Sequence, residues 1–160
     1  MNGLAVARIL HVLAVVLWIG GVGMVTTVLL PAIRSAYPAH ERLHAFSVLE
    51  RRFARQTRMT TVLAGATGFY MVWRLAAWDR FRSVEFWWMH AMVVTWLVFT
   101  LMLFVIEPLF LERLLARRAA STPEVTYRLV ERLHWLLFGL GLLTIAGAVA
   151  GSIGVNFLAW

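Results

Sequence analysis

Five histidines carry most of the chemistry this sequence can offer, and two of them stand where an imidazole is expensive. His11 lies in the apolar run that begins Arg8-Ile9-Leu10-His11 and continues through Trp18-Ile19-Gly20-Gly21. His90 lies in another, within Trp88-Met89-His90-Ala91. An ionisable side chain inside a bilayer is costly, so by default it marks a functional site whose partner must be found. Two imidazoles at one depth on separate helices can each give a ring nitrogen to the iron of a haem b, whose propionates then need cations or water. Arg8, one turn before His11 on the same face, and Arg74, four residues after Tyr70, are the cations in reach. Gly68, Tyr70 and Gly151 fall near the same level, where missing side chains would admit a porphyrin edge. The plainer alternative is that each histidine bonds a neighbouring carbonyl while the arginines snorkel to the interface.

The other titratable groups point less sharply. His40 and His44 have the i, i+4 spacing of a helical metal pair, but no carboxylate motif completes a zinc site, and a solvated helix face is expected. His134 is a second choice as a metal ligand. On a continuous second helix its level corresponds to Arg52, so pairing it with His44 would require a break in that helix. Glu107, just before Pro108, could pair with Arg58, relay protons or line a quinol site. The chain has no cysteine and no lysine. Disulfides, thiolate metal sites, thioether-linked haem and Schiff-base chemistry are thereby excluded. No nucleophile motif, phosphate-cradling glycine loop or paired carboxylates are present, as suits a carrier that does no bond chemistry itself.

These groups must be positioned by membrane helices. With 61% hydrophobic and 14% charged residues and a mean hydropathy of +0.77, the 160-residue chain reads as one integral membrane domain. The apolar runs predict an all-α bundle of four transmembrane helices, over about 4–30, 59–77, 84–111 and 133–158. The first should stop at Pro31. The segment from Pro38 to Arg55 has helical periodicity and reads as a lead-in to the second span, with Leu43, Phe46, Leu49 and Phe53 on one side and His40, His44, Ser47 and Arg51 on another. Ser121-Thr122-Pro123-Glu124 reads as a helix start with a hydroxyl cap. Trp160 is expected at the interface.

The excess of arginine flanks these spans and calls for no nucleic-acid partner. Eleven arginines (34, 42, 51, 52, 55, 58, 113, 117, 118, 128 and 132) flank the first-to-second and third-to-fourth connections, against four (8, 74, 80 and 82) on the other side. The positive-inside rule then places both termini on the outer, periplasmic side of a bacterial inner membrane. Counted from outer boundaries at Leu4 and Val84, His11 lies about 10 Å and His90 about 9 Å deep, at 1.5 Å per residue.

His11 followed by Trp18-Ile19-Gly20-Gly21 in a span ending at Pro31, with Trp88-Met89-His90-Ala91 opening the third span, resembles the small four-helix membrane proteins of the CopD/HemJ type. The resemblance implies a haem-b membrane protein, with protoporphyrinogen oxidation (HemJ-like) or copper binding and transport (CopD-like) as the alternatives. Met92 stands where HemJ-type proteins often carry a lysine, which weighs against the oxidase. Met89, Met92 and Met102 form no obvious copper path. The expectation is one haem b held by His11 and His90. Electrons would pass between an outer-side donor and quinone or a partner oxidoreductase, with the chain alone, as a homo-oligomer or as a subunit of a larger complex.

Overall fold

The computed structural model describes residues 3–111, 118 and 121–155, and every regular element among them is helical. Helix α1 (Gly3–Met24) passes through a π-helical turn (Val25–Leu29) into α2 (Leu30–Ala36), so the rod does not stop at Pro31. The i→i+5 turn explains the difference. Leu30 N–H already bonds the Val25 carbonyl, and Pro31 enters in the first turn of α2, where a missing donor is tolerated. Thr26 and Thr27 return their hydroxyls to the carbonyls of Val22 and Gly23 at 2.7 Å, so neither carries an unsatisfied hydroxyl into the apolar run. The rod ends at Tyr37, whose extended backbone (φ −122°, ψ 143°) is what a following proline imposes.

Helix α3 (Ala39–Arg74) is unbroken over 36 residues, so the lead-in segment and the second apolar run are one element. It closes at Leu75 and Ala76, the latter in the left-handed region at φ 48°. Two 3-10 turns, Ala77–Arg82 and Val84–Phe86, lead into α4 (Trp87–Leu101) and a π-helical stretch (Met102–Leu111) around Pro108. Helix α5 (Pro123–Ser152) starts where the sequence signals it, and its first turns already bury Tyr127 and Val130. Pro123 and Glu124 occupy its first turn as the sequence predicts, but no side-chain cap forms: the Thr122 hydroxyl donates to the Arg118 carbonyl instead (3.3 Å). The expected polar helix before Arg118 and Trp160 lie outside the described residues.

Helix α1 packs chiefly against α3, and α4 against α5. One core cluster joins Ala14, Trp18, Ile19 and Val22 to Ala64 of α3 and Phe99 of α4, with Trp18 edge-on to Phe99 at 4.9 Å. A second joins Val25, Leu30 and Ile33 to Phe46, Tyr127 and Val130. That cluster holds the polar half of α3 and the start of α5 in the bundle. At its centre Tyr127 is fully buried and donates its hydroxyl to the Leu30 carbonyl (2.8 Å). Tyr127→Phe should therefore cost about 1–2 kcal/mol, read as a lower denaturation midpoint in mixed micelles with unchanged slope.

Three helices are long and apolar enough to cross a membrane: Gly3–Ala36, Val84–Leu109 and Pro123–Ser152. Large apolar side chains such as Val12, Leu13, Val16 and Leu17 point outward from the first of them. A bilayer is the medium that leaves such a surface at low cost, and the chain is read as a membrane protein on that ground. The apolar part of α3, between Arg58 and Arg74, carries three threonines and two glycines and is less hydrophobic than the other three.

Candidate functional site

Each intramembrane histidine is tied to backbone. The Nδ1 atom of His11 lies 2.9 Å from the Ala64 carbonyl and 3.1 Å from the Thr67 hydroxyl. A carbonyl only accepts, so Nδ1 carries the hydrogen and Nε2 keeps its lone pair. The approach needs Gly68, where an added Cβ would come within 3.3 Å of the imidazole. His90 donates from Nε2 to the Phe81 carbonyl (2.9 Å), its ring edge-on to Phe81 at 5.4 Å, and so fastens the 3-10 connection to the start of α4.

The two rings are held by different segments, His11 by α3 and His90 by the 3-10 turn before α4. Where His11 meets Ala64, the adjoining Gly65 faces Trp96 of α4, whose indole N–H donates to the Thr61 carbonyl (2.9 Å). Trp96 is six residues beyond His90, about 9 Å along a helix. The cavity at this end, between α3 and α4, has a volume of about 80 Å³ and is lined by neither histidine. Cofactor sites run from about 300 to 1,000 Å³, so this cavity is smaller than a haem needs. The residues expected around it have neighbours of their own. Gly151 abuts Trp88, Tyr70 leans on Trp73 (5.9 Å between centroids), and Arg74 lies over the Trp73 ring at 5.9 Å. Arg8 is exposed.

A cavity of cofactor size exists at the other end. It measures about 450 Å³ and lies between α3, α4 with its π-helical extension, and α5, touching α1 only at Val22. Phe46, Phe53, Leu103, Leu133 and Leu137 give it apolar walls, and His40, His44, Glu50, Arg51, Glu107 and His134 give it polar ones. His134 donates from Nδ1 to the Val130 carbonyl one turn back (2.9 Å), which orients the ring and leaves the Nε2 lone pair for a ligand. Phe46 packs edge-on against it at 5.5 Å. His134 therefore stands beside Phe46, two residues from His44. The two histidines line one cavity with α3 unbroken. Helix α5 packs there through Tyr127 and Val130 on the second core cluster.

The cavity wall on α4 is built by a proline. In an i→i+5 ladder the donor for the Leu103 carbonyl would be the N–H of residue 108, and Pro108 has none. Arg58 of α3 fills the gap, donating Nε to the Leu103 carbonyl (3.1 Å) and Nη2 to Glu107 Oε1 (3.1 Å). Glu107 thus makes the ion pair with Arg58 that was one of its expected roles.

The stripe His40, His44, Ser47 and Arg51 is one helix face, and its two histidines and Arg51 are exposed as expected, while all four also edge the cavity. Glu50 escapes a sequence reading because one carboxylate among many charges carries no local signal. No protein-family model, no curated protein and no solved structure matches this chain.

Proposed function

We propose that the chain is a four-span inner-membrane electron-transfer protein, both termini outside, that holds one haem b in the 450 Å³ cavity. His134 and His44 would hold its iron, with Arg51 available to a propionate. The observation that carries the reading is the His134 ring, turned by the Val130 carbonyl into the tautomer that ligates, on the wall of a space large enough for a porphyrin. A bare ion is less well served, since among the described residues no group of three or more His, Cys, Asp or Glu side chains is placed to hold one. A porphyrin supplies four of the six iron ligands and asks only two of the protein. When bound, the haem would pass single electrons between a redox donor and quinone or a partner oxidoreductase. The chain's own part is to orient the imidazole, keep water from the apolar walls and hold counter-charge at Arg51 and the Arg58–Glu107 pair.

An absorption spectrum of the purified, reduced protein tests the reading. Sharp Soret and α bands are expected, and His134→Ala should abolish the low-spin form. A colourless protein that binds copper stoichiometrically would sink the haem assignment. If His134→Ala keeps the low-spin spectrum while His11→Ala and His90→Ala lose it, the haem lies at the outer pair instead.

A further inference from the structure

A second feature stands apart from the cavity and owes nothing to the haem reading. Outside the bundle, between α2 and the early turns of α5, lies a recess of about 500 Å³ lined by Pro31, Arg34, Ser35, Arg128, Glu131, Arg132 and Trp135. Arg128, Glu131, Arg132 and Trp135 follow one another at i+3 and i+4 on α5, so they form a single stripe. Three guanidiniums meet one carboxylate there. Glu131 is engaged by Arg34 (3.3 Å), and Arg128 leans towards Glu124 (3.6 Å), which Arg42 already holds. Counting Arg42 and Glu124, four cations face two anions, and Arg132 has no partner among the described residues.

The apolar side of the recess fixes what kind of anion suits it. Trp135 is 55% exposed and Leu136, one turn beyond Arg132, is 69% exposed. Both lie within the helix that is apolar enough to cross a membrane, on the side of the arginines that leads into the apolar run. A half-exposed indole next to guanidiniums is the pattern of a membrane–water boundary. A free phosphate would gain from the arginines but nothing from Trp135 and Leu136. A diacyl phosphodiester gains from both.

We propose that the recess formed by Arg34, Arg128, Arg132 and Trp135 binds the headgroup of an anionic phospholipid, with the phosphodiester between Arg128 and Arg132 and the acyl chains laid along Trp135 and Leu136. Basic pockets on one face of membrane helices bind such headgroups by the same means.

Thermal unfolding of the full chain in neutral detergent tests this. Added phosphatidylglycerol at about a hundredfold excess over its dissociation constant should raise the midpoint by about 5 °C, and an equal amount of phosphatidylcholine should not. The rise should shrink as salt is added. Arg128→Gln/Arg132→Gln should remove it, and the exposed single change Arg132→Gln, which touches no ion pair, should at least halve it if the double variant does not fold. Arg80→Gln, at the opposite end of the bundle, should leave it intact. Equal shifts with both lipids, an undiminished shift in the Arg132→Gln variant, or the same shift produced by inorganic phosphate alone would each overturn the proposal.

Discussion

Arg58→Met is expected to cost the bundle about 2–3 kcal/mol, the upper part of the range for leaving a partly buried acceptor unsatisfied, because it unmakes two interactions at once. The guanidinium bonds the Leu103 carbonyl, whose donor in the π-helical ladder is replaced by proline, and the Glu107 carboxylate, which is only 15% exposed. Without the cation the carbonyl loses its substitute donor in a medium where water does not replace it, and Glu107 loses the partner that faces it from α3. Glu107→Gln should cost less, about 1–2 kcal/mol, because a neutral amide still accepts from Arg58 and the Leu103 bond survives. The double variant Arg58→Met/Glu107→Met should recover part of the loss but not all, since the carbonyl stays orphaned. Denaturation midpoints of the four proteins in one detergent decide the matter. An Arg58→Met variant within 1 kcal/mol of the parent would mean that the pair adds nothing to the wall of the site.

The second large effect is expected at Gly65, with Gly65→Ala destabilising by about 2–3 kcal/mol as an overpacking change. A Cβ there would come 2.5 Å from the Trp96 indole, far inside van der Waals contact. The indole has little freedom to retreat, because its N–H is bonded to the Thr61 carbonyl and Phe69 stands edge-on to it at 5.6 Å. Moving it sacrifices that hydrogen bond and separates α3 from α4. Gly139→Ala is the control: nothing lies within 4 Å of its added methyl group, and alanine is the better helix former by about 1 kcal/mol. The same melts should show Gly139→Ala neutral or stabilised. Equal behaviour of the two variants would show that the α3–α4 contact is looser than the structure has it.

Much of the architecture was legible in the residues. Apolar runs of about twenty residues announce membrane helices without reference to any partner, because the bilayer alone requires every backbone group to be bonded within its own segment. Thr122-Pro123-Glu124 announces the start of α5 by local chemistry, even though the hydroxyl turns back to Arg118 instead of capping. Pro31 misled because proline ends a regular α-helix but is absorbed by a π-turn just before it, and nothing in the local sequence tells the two apart.

The histidines mark where local reading stops. That His11 and His90 must be satisfied follows from the cost of an imidazole in an apolar run, and both are satisfied, by the carbonyls of Ala64 and Phe81. Which groups satisfy them depends on how α3 slides against α1 and how the 3-10 turns set the start of α4. A slide of one turn moves a side chain by about 5 Å, enough to dissolve or create a ligand pair, and no single helix encodes it. The sequence by itself therefore determined the membrane class, the helices and the short supply of chemically able residues. Tertiary packing decided which of them meet. By seating Tyr127 and Val130 on the second core cluster, it carried His134 next to Phe46 and gathered it with His44, Arg51 and Glu107 around one cavity, because contacts between helices set register and composition does not.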